Sequence, residues 1–210
     1  MAANWLAVWF KWRAVEVITK PAGALFLLVW LMNKGGTQKE TIFFAGGLLF
    51  SVLGDALLLI PDFIIYGLTA FTVTQVFYLI GFFQPGFAFS VQTCILLLLF
   101  ASLWGFIYAL IRKTAAAKDS SGKLQLAAGF YCLTLCGMVF SASTTLFRGE
   151  WPRAASGLAV SGAALFLFSD ALLWVDRFIK PIPLASLWKR IMYFLSQLSI
   201  TTAAYLMFLR

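Results

Sequence analysis

Residues 41–60 read TIFFAGGLLFSVLGDALLLI, and residues 154–175 read AASGLAVSGAALFLFSDALLWV. Each is about as long as the roughly 20 residues a helix needs to cross hydrocarbon. Each also places one carboxylate, Asp55 or Asp170, inside an apolar run and ahead of the same letters, DALL. Composition says what solvent such runs expect. Of the 210 residues, 62% are hydrophobic and 11% charged, with a mean hydropathy of +0.91. A soluble domain covers itself with roughly a quarter charged residues. Lipid is therefore the expected solvent, and the net charge of +8 is no nucleic-acid signal, because the basic residues fall between apolar runs as in membrane loops.

The apolar runs predict an all-α, polytopic transmembrane bundle of about seven spans, at 17–33, 41–60, 62–83, 88–111, 124–147, 154–176 and 188–209. Turn and breaker residues separate them, in IPDF, FQPG, RGEWPR and DRFIKPIP. The polar stretch 112–123 is too short for a second domain, so residues 1–210 read as one integral membrane domain. Residues 1–16, with Trp5, Trp9, Trp12, Lys11 and Arg13, suit an N-terminal segment lying at the interface. The alternative is the remnant of an eighth span.

Lys and Arg set the expected orientation. With seven spans, eleven of them fall on the N-terminal side of the membrane and five on the other, which predicts a cytosolic N-terminus. Spans two and six then run in parallel, and Asp55 and Asp170 lie five and six residues before their ends. Both carboxylates are expected at matching depth, about 8–9 Å inside the cytosolic face. Lys20, Gln75, Tyr78, Tyr131, Tyr193 and Gln197 are the candidate substrate-binding residues, and Tyr66 early in span three is a further polar group at similar depth.

A buried ionisable group costs about 2.5–3.5 kcal/mol on insertion scales. Two such groups need a purpose or a partner. They either line a wet pocket or tie helices together by hydrogen bonds. Gly46, Gly47 and Gly54 in span two and Gly157, Ser161 and Gly162 in span six suggest close helix approach around both aspartates.

Several chemistries drop out. With no histidine there is no histidine-based triad and no histidine-ligated zinc or haem. Span seven has no interior lysine for a retinal Schiff base. Cys94, Cys132 and Cys136 lie within spans and read as small packing residues. Neither metal nor cofactor is expected. What remains is a carboxylate pair able to divide acid and base roles, as glycosidases do around an oxocarbenium-like transition state. Such a pair can cleave an acid-labile ether. Basic residues, Lys20 and Arg177 or Lys180 among them, would hold a phosphate headgroup while the interior takes an acyl or alkenyl chain. From the residues alone the reading is a phospholipid-handling pocket.

KP at 20–21, GDALLLIPD at 54–62, YGLTAFTVTQVFYLIGF at 66–82, FSDALLWVDRF at 168–178 and YFLSQL at 193–198 resemble the lysoplasmalogenase family, the YhhN-like polytopic membrane proteins. The resemblance implies hydrolysis of the vinyl ether bond of lysoplasmalogens to a fatty aldehyde and a glycerophospho-ethanolamine or -choline. It implies a membrane hydrolase of lipid metabolism whose partners are an alkenyl lysophospholipid and membrane lipid. The family's paired aspartates map onto Asp55 and Asp170, and its lysine before proline onto Lys20. Its members commonly have histidine where this chain has Gln75, three residues before Tyr78, which leaves Gln75 to position water or headgroup. They also commonly begin with one more complete span. The GDALLLIPD wording resembles the animal branch, which points to the endoplasmic reticulum membrane; in a bacterium it would be the inner membrane.

The implied mechanism gives the aspartates separate tasks. One, in its acid form, protonates the β-carbon of the enol ether, and the other stabilises the oxocarbenium and orients water. Asp170 is the expected acid, because Phe166, Phe168 and Trp174 crowd it in the sequence. The rival reading is a transporter or lipid-binding protein whose aspartates couple protons or a cation.

Overall fold

The computed structural model describes residues 13–38, 40–87, 89–115 and 122–210, and within these the side chains from Pro21 onward other than those of Pro61 and Ala115. Among the described residues every regular element is helical. Seven helices follow one another: α1 Arg13–Asn33, α2 Thr41–Leu57, α3 Ile64–Phe83, α4 Val91–Ala115, α5 Lys123–Thr144, α6 Arg153–Trp174 and α7 Ala185–Phe208. They match the seven expected runs to within a few residues. The interfacial reading of residues 1–12 and the side chain of Lys20 lie outside the described residues. Arg13–Glu16, expected in that segment, already belong to α1.

Five of the helices, α3 to α7, are long and apolar enough to cross a membrane, and the protein is an integral membrane protein. The first two are shorter apolar stretches. Pro21 interrupts α1, where it removes a backbone donor, and the apolar part runs from Pro21 to Asn33. Helix α2 has 17 residues, about 25 Å at 1.5 Å each. It stops short of residue 60 for a local reason. Pro61 forces Ile60 into an extended conformation (φ −98°, ψ 118°), so the chain turns through Leu58–Ile60 before α3. Asp55 consequently sits in the last turn of α2, not five residues from its end.

Sequential neighbours α1–α2, α2–α3, α4–α5, α5–α6 and α6–α7 pack together, as do α3–α5, and α7 with α1 and α2. Helix α7 thus packs against both aspartate-bearing helices. Helix α4 leans mainly on α5 and turns its other faces outward, with Leu98 and Phe106 69% and 70% exposed. In water such a surface would aggregate; in lipid it is the correct exterior. Cys94 on α4 is exposed, so it is no packing residue, whereas Cys132 and Cys136 are buried against Ile111 and Ala128.

The α6–α7 seam is built from small side chains. Ala155, Ala159 and Ala163 repeat every four residues on α6 and are fully buried, as are Ile200, Ala203 and Ala204 of α7. Gly162 belongs to the same seam, where an added Cβ would press on Ile200 and Ser199. Gly157 faces open space and Ser161 is exposed, so the expected series at 157–162 is only partly the packing surface. On α2 the expectation fits better: Gly46, Gly47 and Gly54 lie against the rings of Phe77, Tyr78 and Phe71.

One end of the bundle is closed by aromatic residues. Phe44 meets Phe82 (5.3 Å between centroids) and Phe208 (6.1 Å), and Trp151 meets Phe82 and Phe208 (6.0 and 5.8 Å). Arg148, expected as a loop charge, is buried there. Its Nη1 donates to the Phe82 carbonyl (2.7 Å) and its Nη2 to that of Gln84 (2.9 Å), capping the end of α3.

Candidate active site

At the opposite end the helices splay around a cavity of about 350 Å³. The last turns of α2 and α6 contribute Asp55 and Asp170, the first half of α5 contributes Tyr131 and Cys132, and α7 contributes Tyr193 and Gln197. Apolar residues of α3, α4 and α5, such as Leu68, Ile107 and Leu124, complete the wall. Arg177, Lys189 and Arg190 also line it, at the end of the bundle that carries most of the Lys and Arg. The two carboxylates therefore share one cavity. The expected five and six residues to the span ends become two for Asp55 in α2 and four for Asp170 in α6.

Each carboxylate has its own surroundings. Asp55 is 2% exposed. The Tyr193 hydroxyl lies close to Asp55 and Ser51 yet closes no hydrogen bond of normal geometry to either. Asp170 is half-buried and accepts a short hydrogen bond at Oδ2 from the Tyr131 hydroxyl. Of the aromatic residues expected to crowd it, Phe166 is fully buried and Trp174 lines the cavity, but Phe168 is 60% exposed. Two residues along a helix is a rotation of about 200°, which turns Phe168 outward.

Gln197 is the junction behind the cavity. Its Oε1 accepts from the Tyr78 hydroxyl (2.6 Å), and its Nε2 donates to Ser51 Oγ (2.9 Å). Ser51 donates on to Thr74 Oγ1 (3.4 Å), which reaches the Gly47 and Ala70 carbonyls, each at 3.2 Å. This chain of donors ties α2, α3 and α7 and fixes which way the Gln197 amide faces. Tyr78 is fully buried and holds Gln197 from behind, outside the cavity wall. Gln75 is equally buried, hydrogen-bonded through Oε1 to Thr134 Oγ1, and does not line the cavity either. Tyr66 is 63% exposed on the outer surface. Lys20 lies outside the described side chains, while Gly23 and Ala24, three and four residues further on, line the cavity.

Sequence reasoning missed Ser51, Thr74 and Thr134. The signal for Ser51 was present, since it precedes Asp55 by four residues and so shares its helix face. The mouth is braced by a second set of bonds. After α6 the helix widens over Val175–Ile179, so that the Lys180 N–H reaches the Val175 carbonyl (2.9 Å). That turn brings Arg177 and Phe178 to the cavity. Asp176 on it pairs with Lys189 Nζ (2.9 Å) and accepts the Ile182 N–H (3.0 Å). Among the described residues no three of Cys, Asp and Glu converge to hold a metal ion.

Fold and site define a polytopic helical membrane protein with a two-carboxylate cavity at one end of its bundle. The chain belongs to the YhhN family, whose model matches residues 15–204. It is 31% identical over 198 residues to lysoplasmalogenase TMEM86B of Rattus norvegicus, covering 92% of this chain and 74% of that one. Against lysoplasmalogenase TMEM86B of Homo sapiens it is 30% identical over 195 residues, covering 92% and 76%. Lysoplasmalogenase TMEM86A of Homo sapiens is 29% identical over 164 residues, covering 75% of this chain and 63% of that relative. No solved structure matches the chain.

Proposed function

We propose that the protein is an ether hydrolase that cleaves the vinyl ether bond of lysoplasmalogens, releasing a fatty aldehyde and a glycerophospho-ethanolamine or -choline. The observation that carries this reading is the pair of carboxylates, Asp55 and Asp170, on one mainly apolar cavity wall. The relatives named lysoplasmalogenase support it. Asp55 and Asp170 are the catalytic pair; Lys20, Tyr131, Tyr193 and Gln197 serve the bound lipid, and Gln75 and Tyr78 act through the groups they hold. All seven helices cross the membrane, with the cavity at its cytosolic face. The membrane is that of the endoplasmic reticulum in a eukaryote and the inner membrane in a bacterium.

The chemistry requires nothing beyond the chain and water. A carboxylic acid gives its proton to the β-carbon of the enol ether, and the electron pair of the C=C bond forms the new C–H bond. The second carboxylate stabilises the resulting oxocarbenium, where preorganised charge counts most. Water adds to the cationic carbon and loses a proton, and the hemiacetal separates into aldehyde and alcohol. Apolar lining suits the chain, and the cations at the mouth suit a phosphate.

The test uses purified protein in detergent with a vinyl-ether lysophospholipid and its saturated alkyl-ether analogue. Aldehyde from the vinyl ether alone, abolished by Asp55→Asn and by Asp170→Asn in proteins that remain folded, is the expected outcome. Normal turnover in both variants would sink the two-carboxylate reading. Retention of the lipid without aldehyde would favour binding or transport instead.

A further inference from the structure

The two carboxylates differ in what surrounds them, and the difference assigns their tasks. A water that is to attack a cationic carbon must be held by several groups at once, at least one of which can take its proton. Beside Asp55 stands the Tyr193 hydroxyl, and the Gln197 amide reaches Ser51, one turn before Asp55 on α2. Tyr193 and Gln197 are four residues apart on α7 and share a helix face, and both line the cavity. The Tyr193 hydroxyl is buried with no hydrogen-bond partner among the described residues, although a phenol O–H so placed normally finds one. The Gln197 amide carries two hydrogens. Its carbonyl oxygen is taken by Tyr78 and one hydrogen by Ser51, leaving the second uncommitted among the described residues.

Asp170 has no such company. The hydroxyl next to it, on Tyr131, is already spent on Oδ2, and Leu167 and Trp174, about one turn to either side on α6, line the same cavity. That leaves the other oxygen of the carboxyl group, Oδ1, to face a substrate.

We propose that Tyr193 and Gln197 hold the attacking water against Asp55, which takes its proton, while Asp170, steadied by Tyr131, is the acid that protonates the enol ether. Tyr78 and Ser51 are positioning residues that act through Gln197. The inference rests on the vinyl-ether reading. The step balances: the C=C electron pair takes the proton of Asp170, a water oxygen bonds the oxocarbenium carbon, and its proton passes to Asp55. Proton exchange with solvent restores both carboxyl groups.

A held water has a consequence that general damage to the fold lacks. Methanol can also trap an oxocarbenium, giving a stable mixed acetal in place of aldehyde. The experiment follows both products from the vinyl-ether lysophospholipid at a fixed methanol concentration. Wild-type protein is expected to give almost only aldehyde. Tyr193→Phe keeps the ring that packs on Phe71 and Phe166 (5.8 and 5.7 Å) and should raise the acetal-to-aldehyde ratio about fivefold, the scale of one lost hydrogen bond. Gln197→Met and Tyr78→Phe should move the ratio in the same direction. Slower turnover at an unchanged ratio in all three variants overturns the inference, as does wild-type protein that already partitions like free solvent. Absence of aldehyde from the wild type without methanol overturns the parent reading instead.

Discussion

Tyr131 on α5 donates its hydroxyl to Oδ2 of Asp170 on α6, so one of the two cavity carboxyl groups is oriented by a neighbouring helix. The bond selects which oxygen faces the substrate. Removing it in Tyr131→Phe leaves the ring in place and the carboxyl free to rotate. A hydrogen bond to a charged or strongly polarised group contributes about 1.5–3 kcal/mol, so kcat is expected to fall about tenfold to a hundredfold. KM should change little, because the chain and headgroup contacts remain. Steady-state kinetics on the variant checks this, and a rise in KM at constant kcat would show Tyr131 to be a binding group only.

The cations at the mouth should act on the opposite parameter. Arg177, Lys189 and Arg190 line the cavity, and Lys189 is held by Asp176. Arg190→Gln is expected to raise KM for a lysophospholipid twofold to fivefold at nearly constant kcat, the scale of a partly exposed ion pair of about 1 kcal/mol or less. Added salt should weaken wild-type binding in the same sense by screening the phosphate. A salt-independent KM would place the headgroup elsewhere.

The bundle was legible because lipid-facing helices are written as apolar runs, and the breakers between them, such as IPDF, fall where the chain turns. What the runs could not show was their ends. Pro61 reaches back to Ile60 and shortens α2, which moves Asp55 into a last turn. Of the polar candidates, Asp55, Asp170, Tyr131, Tyr193 and Gln197 meet at one cavity. Gln75 and Tyr78 stand behind it, because α3 turns that face toward α5 and α7. Hydrophobicity told that a residue was polar and submerged; it did not tell which of its neighbours would meet it. That depends on helix rotation, and helices apolar all round carry little periodicity from which to read it. The alanine seam on α6 escaped for a related reason, since alanine fits both lipid and helix contacts.

Gly47 tests how closely the core supports the site. An added Cβ there would run into the ring of Tyr78, whose hydroxyl anchors Gln197. Gly47→Ala is expected to cost about 1–3 kcal/mol through overpacking and to lower activity by freeing the Gln197 amide. Gly157 has open space at the same position, so Gly157→Ala should be neutral or stabilise by up to about 1 kcal/mol through helix propensity. Thermal unfolding of the two variants in detergent separates them; equal behaviour would mean that Tyr78 moves aside freely.

Arg148 should govern stability without touching the chemistry. It is 6% exposed, and burial pulls its guanidinium below the ordinary value while Glu150, 4.0 Å from Nε, opposes that shift. An arginine so placed stays charged near neutral pH, and its two short bonds satisfy carbonyls that the end of α3 leaves open. Trp151 Nε1 adds a donor to Gln84 (3.1 Å), so the cap joins the α5–α6 connection to the end of α3. Arg148→Met preserves bulk but takes the side-chain donor from the Phe82 carbonyl and leaves that of Gln84 to Trp151 alone, at about 1.5–3 kcal/mol for a charge-assisted bond. At 2–4 °C per kcal/mol for a chain of this size, Tm is expected to fall by about 3–12 °C. Arg148→Lys, which restores charge but not the fork, should recover part of the loss. Turnover per folded molecule should stay at the wild-type level in both, because the cavity lies at the other end of the bundle. A loss of turnover that exceeds the loss of folded protein would instead reveal coupling between the two ends through α3 and α7.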